Sequence, residues 1–261
     1  MGSRGIQSAD ADGPPSLTAD YLRASPRLFE NPLLDKLSRV RWSMPLFVYA
    51  PFMAALAWLS FRTLAPAMVA FATLCGYAAW TLTEYFGHRY LFHAEFPGGW
   101  GARIHFLIHG VHHEHPNDPL RLVMPPLLSA PIMAIAFAVM LALAGQPLAY
   151  PDMMGFVLGY LIYDMVHYRV HHAEPKTQFG RNLKRLHMLH HFRDAERGFG
   201  VSAPWWDRLF RTELVPRHKL AAVSREGGAA PDRPRHRAKH DQARPRAEAS
   251  EPGIRATPAL R

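Results

Sequence analysis

The sequence predicts an all-α integral membrane protein: four transmembrane helices in two hairpins, with a histidine-rich helical cap on the cytoplasmic side. Three observations predict it. Four apolar stretches close to the ~20 residues needed to cross a bilayer occupy residues 44–61, 64–86, 127–144 and 148–168. The links inside each pair, Arg62-Thr63 and Gly145-Gln146-Pro147, are so short that each pair reads as a helical hairpin. Histidines, 16 in 261 residues, crowd between and after the pairs.

Taken in order, residues 1–20 read as a disordered N-terminus. They lack the basic start, apolar core and small-residue cleavage site of a signal peptide. Residues 21–43, including "SPRLFENPLLDKLSRVRW", read as an amphipathic lead-in, and residues 44–215 as the membrane domain. Four buried helices of a soluble bundle are the competing reading. It is disfavoured because the runs are apolar on all faces rather than striped. Residues 216–261 read as a disordered basic tail, rich in Pro, Ala and Arg and poor in large apolar residues. Six of the nine net positive charges sit in this tail, so the charge is no nucleic-acid footprint; attraction to anionic lipid is its sharper reading. The single cysteine, Cys75, excludes a disulfide framework and a cysteine-rich zinc finger; its place in an apolar run predicts a buried thiol.

Basic residues set the orientation. Arg23, Arg27, Lys36, Arg39, Arg41, Arg103, Arg121, Lys176, Arg181, Lys184 and Arg185 all fall on one side of the four spans. The other side offers Arg62 and Asp152. Both termini and the histidine segments are therefore expected in the cytoplasm.

Ten histidines form four blocks: His88 and His93; His109, His112 and His113; His167 and His171; His187, His190 and His191. Positions i, i+3 and i+4 share a helix face, so H-x-x-H-H lines up three imidazoles, and it occurs twice. His88 and His93 are about 140° apart on an ideal helix and converge best if the helix ends or bends between them. Ten ligands exceed the roughly four of a zinc site, and two metal ions with about five imidazoles each account for them. Neutral imidazole suits zinc, iron, copper and nickel alike. Carboxylates should orient the rings, with Glu84, Asp118, Asp164 and Asp194 as candidates. His105, His115 and His172 fall outside the pattern and read as structural, while His218, His236 and His240 lie in the tail and read as solvated.

The order H-x4-H, H-x2-H-H, H-x3-H, H-x2-H-H resembles the fatty acid hydroxylase/sterol desaturase superfamily. The strings "EYFGHRYLFHAEFP", "HFLIHGVHHEHPNDPLRLVMPP", "YDMVHYRVHH" and "GFGVSAPWWDRLF" look like its fatty acid 2-hydroxylase branch, over residues 25–212 or so. The resemblance implies that the ten histidines are metal ligands. Tyr163 and Asp164 match a pair beside the active site, the candidate catalytic residues, and Gly198, Phe199 and Gly200 match a turn after the last block. It further implies hydroxylation of carbon 2 of a long-chain acyl group dissolved in the membrane, with O2 as oxidant. That chemistry needs a redox metal, so iron is expected in the active enzyme, and zinc can occupy the same ligands in purified protein. Eukaryotic members often carry a cytochrome b5-like haem domain. Here "EFPGGWG" matches its His-Pro-Gly-Gly only superficially, with Phe96 in the histidine's place, so electrons are expected from a separate donor protein. Two alternatives stay open: a hydroxylase or desaturase acting on sterols, carotenoids or sphingoid bases, and a zinc-stabilised membrane scaffold without turnover.

Overall fold

Short polar caps and prolines start the helices. Thr18 caps α1 (Ala19–Arg23), its hydroxyl accepting from the Tyr21 N–H. Asn31 caps α2 (Pro32–Leu37) by accepting from the Leu33 and Leu34 N–H groups. Proline also lies in the first turn of α3 (Met44–Thr63), α4 (Pro66–Phe86) and α7 (Pro126–Ala144), where its missing N–H costs nothing. The remaining helices are α5 (Gly98–His105), α6 (Val111–Glu114), α8 (Ala149–His172), α9 (Gln178–Phe192) and α10 (Trp205–Leu209). This computed structural model describes residues 18–94 and 98–214, and these are helical with connecting turns. The expectations for the extreme N-terminus and the basic tail, with His218, His236 and His240, lie outside the described residues.

Among the described residues, three helical segments are long and apolar enough to cross a membrane: Met44–Thr63, Pro66–Phe92 and Pro126–Ala144. The 24-residue α8, expected as a fourth apolar span, is not among them. Its burial explains its composition. It packs against α4, α3 and α7, and residues such as Tyr160, Tyr163, Asp164 and His167 point inward. The outer faces of the apolar helices carry Phe71, Leu74, Ile135 and Leu143, each about two-thirds exposed or more, as suits lipid-facing surface. Cys75 lies on this outer surface too, so the expected buried thiol is corrected: its helix face looks away from α8.

The central packing is α4 on α8, across the two hairpins rather than within either. Glycine permits it. A Cβ on Gly155 would fall on the Thr73 carbonyl oxygen, and one on Gly76 would fall on that of Asp152. Below this contact Trp80 meets Phe156 and Tyr160 edge-on, at ring separations of 5.1 and 5.3 Å. The amphipathic lead-in forms two short helices, tied to the chain that follows the second histidine block. Asp35 pairs with Arg39 at 3.1 Å and Arg121 at 3.2 Å, and Val40 N–H donates to Leu120 O.

Candidate metal centre

The C-terminal ends of α4 and α8 bring the histidine blocks together. After Phe86 the chain is wound more widely, as a π-helix over Gly87–Phe92, where bonding runs from i to i+5. His93 N–H donates to His88 O, and the two Nε2 atoms lie 3.2 Å apart. The expected bend between His88 and His93 is thus a widened turn. A second π turn, Phe106–Gly110, delivers His109.

Ten imidazoles form two groups of five. His88, His93, His109, His113 and His190 make one; His112, His167, His171, His187 and His191 make the other. Each H-x-x-H-H block is divided: His109 and His113 go one way and His112 the other, and His190 separates from His187 and His191. In both groups Nε2 atoms face one another. His88 and His109 are 3.1 Å apart, His93 and His190 3.1 Å, His112 and His167 3.0 Å, and His187 and His191 3.0 Å.

These groups fit a metal ion each. The His88 Nδ1–H donates to Phe199 O at 2.7 Å, and the His190 Nδ1–H to Arg197 O at 2.8 Å. A carbonyl only accepts, so the Nε2 of both rings carries a bare lone pair. Both lone pairs face His93, and its one ring proton cannot serve the two; a shared cation can. Burial and neighbouring imidazoles push His109, His112, His113, His187 and His191 well below the usual imidazole range, and burial brings His190 down to about 4. They are neutral at physiological pH, as ligation requires. With metal–nitrogen bonds of about 2.1 Å, nitrogens about 3.0 Å apart subtend roughly 90°, tighter than the ~3.4 Å edge of a tetrahedron. Five close-set nitrogens are unlike a closed structural zinc site.

Main-chain carbonyls, not the expected carboxylates, take the Nδ1 protons of His88 and His190. The carboxylates act one step further out. Asp207 accepts from the Phe199 and Gly200 N–H groups, both at 2.9 Å, and from the Thr212 hydroxyl at 2.8 Å. Glu84 accepts from the Ser202 N–H at 2.7 Å and from its hydroxyl. Together they hold the 197–203 loop against the first group. Gly198, at φ +79°, turns that loop in a conformation that favours glycine. Sequence reasoning missed Asp207; its signal was the run "GFGVSAPWWD", a turn with an acid after it. Asp118 instead faces Arg121 at 3.5 Å, and Asp194 faces Arg197 at 3.8 Å.

Tyr163 is buried with its ring 5.6 Å from that of His167, and Asp164 is fully buried in the same turn of α8. The His115 Nδ1–H donates to Tyr21 O, 2.7 Å away, and His172 packs on Tyr168 at 4.5 Å. Neither they nor His105 enter a group among the described residues. A cavity of about 330 Å³ reaches both groups, touching His109, His112 and His167; Tyr163, Ser38, Arg121 and otherwise apolar side chains such as Phe92 and Val111 line the rest.

A model of the fatty acid hydroxylase family matches residues 73–212, which contain all ten clustered histidines. The chain belongs to the fatty acid hydroxylase family. Among relatives of this chain, a dihydroceramide fatty acyl 2-hydroxylase of Arabidopsis thaliana is 38% identical, over 76% of this chain and 83% of the relative. The human fatty acid 2-hydroxylase is 32% identical over 73% of this chain, and a ceramide very long chain fatty acid hydroxylase of Saccharomyces cerevisiae 33% over 79%. This chain covers only 57% and 54% of those two proteins. The solved structure of full-length Scs7p, in which the hydroxylase domain is visible, superposes with a TM-score of 0.67 at 34% identity, covering 70% of both chains. The helical fold is thus similar to that of the Scs7p hydroxylase domain; α1 and α2 lie outside the residues that the family model matches.

Proposed function

We propose that this chain hydroxylates carbon 2 of long-chain fatty acyl groups within the membrane, using O2 and electrons from a separate donor protein. The observation that carries the reading is the apolar cavity that ends on both histidine groups. Relatives named as acyl 2-hydroxylases support the position of attack.

In this reading the membrane hydroxylase domain spans residues 44–215, α8 is a fourth crossing, and both termini and the metal centre are cytoplasmic. The ten histidines hold two metal ions, iron in the active enzyme and zinc in purified protein where iron is lost. Bound there, two redox metals supply the O2 activation that breaking a strong C–H bond requires. The protein's own residues do the rest. Leu107, Val111 and Met124 exclude water and hold the chain. His109, His112 and His167 form the floor where the carboxyl-proximal carbons lie. Tyr163, against His167 on the cavity wall, orients the acyl group, and Asp164 lies fully buried beside it.

Cells expressing the chain should, under ¹⁸O2, make 2-hydroxy acyl lipids with one heavy oxygen in the hydroxyl; a His187→Ala form should make none. Label on a sterol, carotenoid or sphingoid base instead would assign another substrate, and no labelled lipid from metal-replete protein with a reductant would remove the oxygenase reading.

A further inference from the structure

The cavity has an unusual mouth. Four of its lining residues are exposed, and all are leucines: Leu34 and Leu37 of α2, and Leu127 and Leu128 at the start of α7. A mouth that opened to water would be rimmed by polar groups; four leucines beside an apolar span mark an opening toward lipid. The α2 side of this rim is firmly held. Asp35, between the two leucines in sequence, binds Arg39 and Arg121 and accepts from the Leu28 N–H at 2.8 Å. Arg121 also donates to Pro26 O and the Ser38 hydroxyl.

The cavity is also short. An apolar cavity of ~150 Å³ holds one benzene, six carbons, so 330 Å³ accommodates on the order of a dozen. A long acyl chain with its carboxyl end at the histidines must leave its distal carbons outside.

We propose that the leucine rim is a lateral portal through which the acyl chain enters from the bilayer and in which its distal part stays during the reaction, with Leu34 and Leu37 as specificity-determining residues. This rests on the acyl 2-hydroxylase reading. Girth at the rim, not depth of the cavity, then discriminates among long chains, and lengths beyond the portal are tolerated alike. It also gives the lead-in, outside the family match, a role in substrate choice.

The test compares chains that fit inside, about ten carbons or fewer, with chains of about eighteen. Leu34→Trp and Leu37→Trp should lower long-chain hydroxylation at least several-fold while short-chain turnover stays within about twofold of the parent. Leu33→Trp, more exposed than either and not on the cavity, should change neither. Equal loss for both lengths, or loss for neither, overturns the portal. Leu34→Ala cannot crowd the rim, so a selective long-chain defect there overturns it too. Photo-crosslinking in nanodiscs reads the geometry without turnover. A long acyl probe with a distal diazirine should label Leu34, Leu37, Leu127 or Leu128, and one with the diazirine beside the carboxyl should label Val111 or Tyr163. The reverse pattern, or no labelling at either depth, overturns it. Rim labelling without any 2-hydroxy product would instead count against the reaction while leaving the portal standing.

Discussion

His113 and His191 stack face to face, ring centroids 4.2 Å apart and planes 29° from parallel, although they belong to different histidine groups. His113 also lies 5.0 Å from His190, and His191 4.5 Å from His112. The two groups therefore share a wall of imidazole, and neither can shift without moving the other.

Metal content follows from this. The purified chain should carry close to two metal ions. His109→Ala should reduce this to about one or fewer with loss of activity, and His105→Ala should retain two. Elemental analysis decides it; a parent that stays near one ion after metal loading would contradict the dimetal centre.

Asp207 reaches the centre only through the loop carbonyls on His88 and His190. Asp207→Ala leaves buried N–H donors without an acceptor, and the cost should be on the order of 3 kcal/mol. Metal content should fall from near two toward one, since only the first group loses its backing. Equal loss from both groups would mark Asp207 as a general stability residue.

The α4–α8 contact leaves no room at Gly155. A Cβ there strikes the main chain at Thr73, which cannot rotate aside. Gly155→Ala should destabilise by about 1–3 kcal/mol, visible as a lower Tm in detergent. An unchanged Tm would show that the helices can part without cost.

Acid should release the lead-in late. The Leu28 N–H, with the guanidinium groups of Arg39 and Arg121, holds the Asp35 carboxyl down to about 2. A folded value below the ordinary ~3.9 means the clamp is fully present above that value and fades as pH falls through about 2. Hydrogen exchange at the Leu28 amide, corrected for intrinsic rate, should stay protected at pH 5; loss of protection by then would refute the clamp.

Orientation is testable with the native thiol removed as Cys75→Ser. A cysteine at Gln146 should react with an impermeant reagent from outside, and one at Lys176 should not; both positions are exposed. Labelling at Lys176 would reverse the topology and move electron delivery to the other face.

The sequence alone determined the ligand candidates and the apolar helices that carry them. Both are local properties: imidazoles at i, i+3 and i+4 share a face wherever a helix forms, and an uninterrupted apolar run needs no partner to be recognised. It misjudged Cys75 and the apolar character of α8 because which face is buried depends on neighbours. Only the tertiary structure decided that each H-x-x-H-H block divides between two groups. That division is set by how α6 and α9 are rotated about the ends of α4 and α8, and a one-dimensional spacing carries no record of rotation. The same reason hid the carbonyls of Arg197 and Phe199 and the leucine rim. His88 and Phe199, 111 positions apart in the chain, become partners only once the helices have packed.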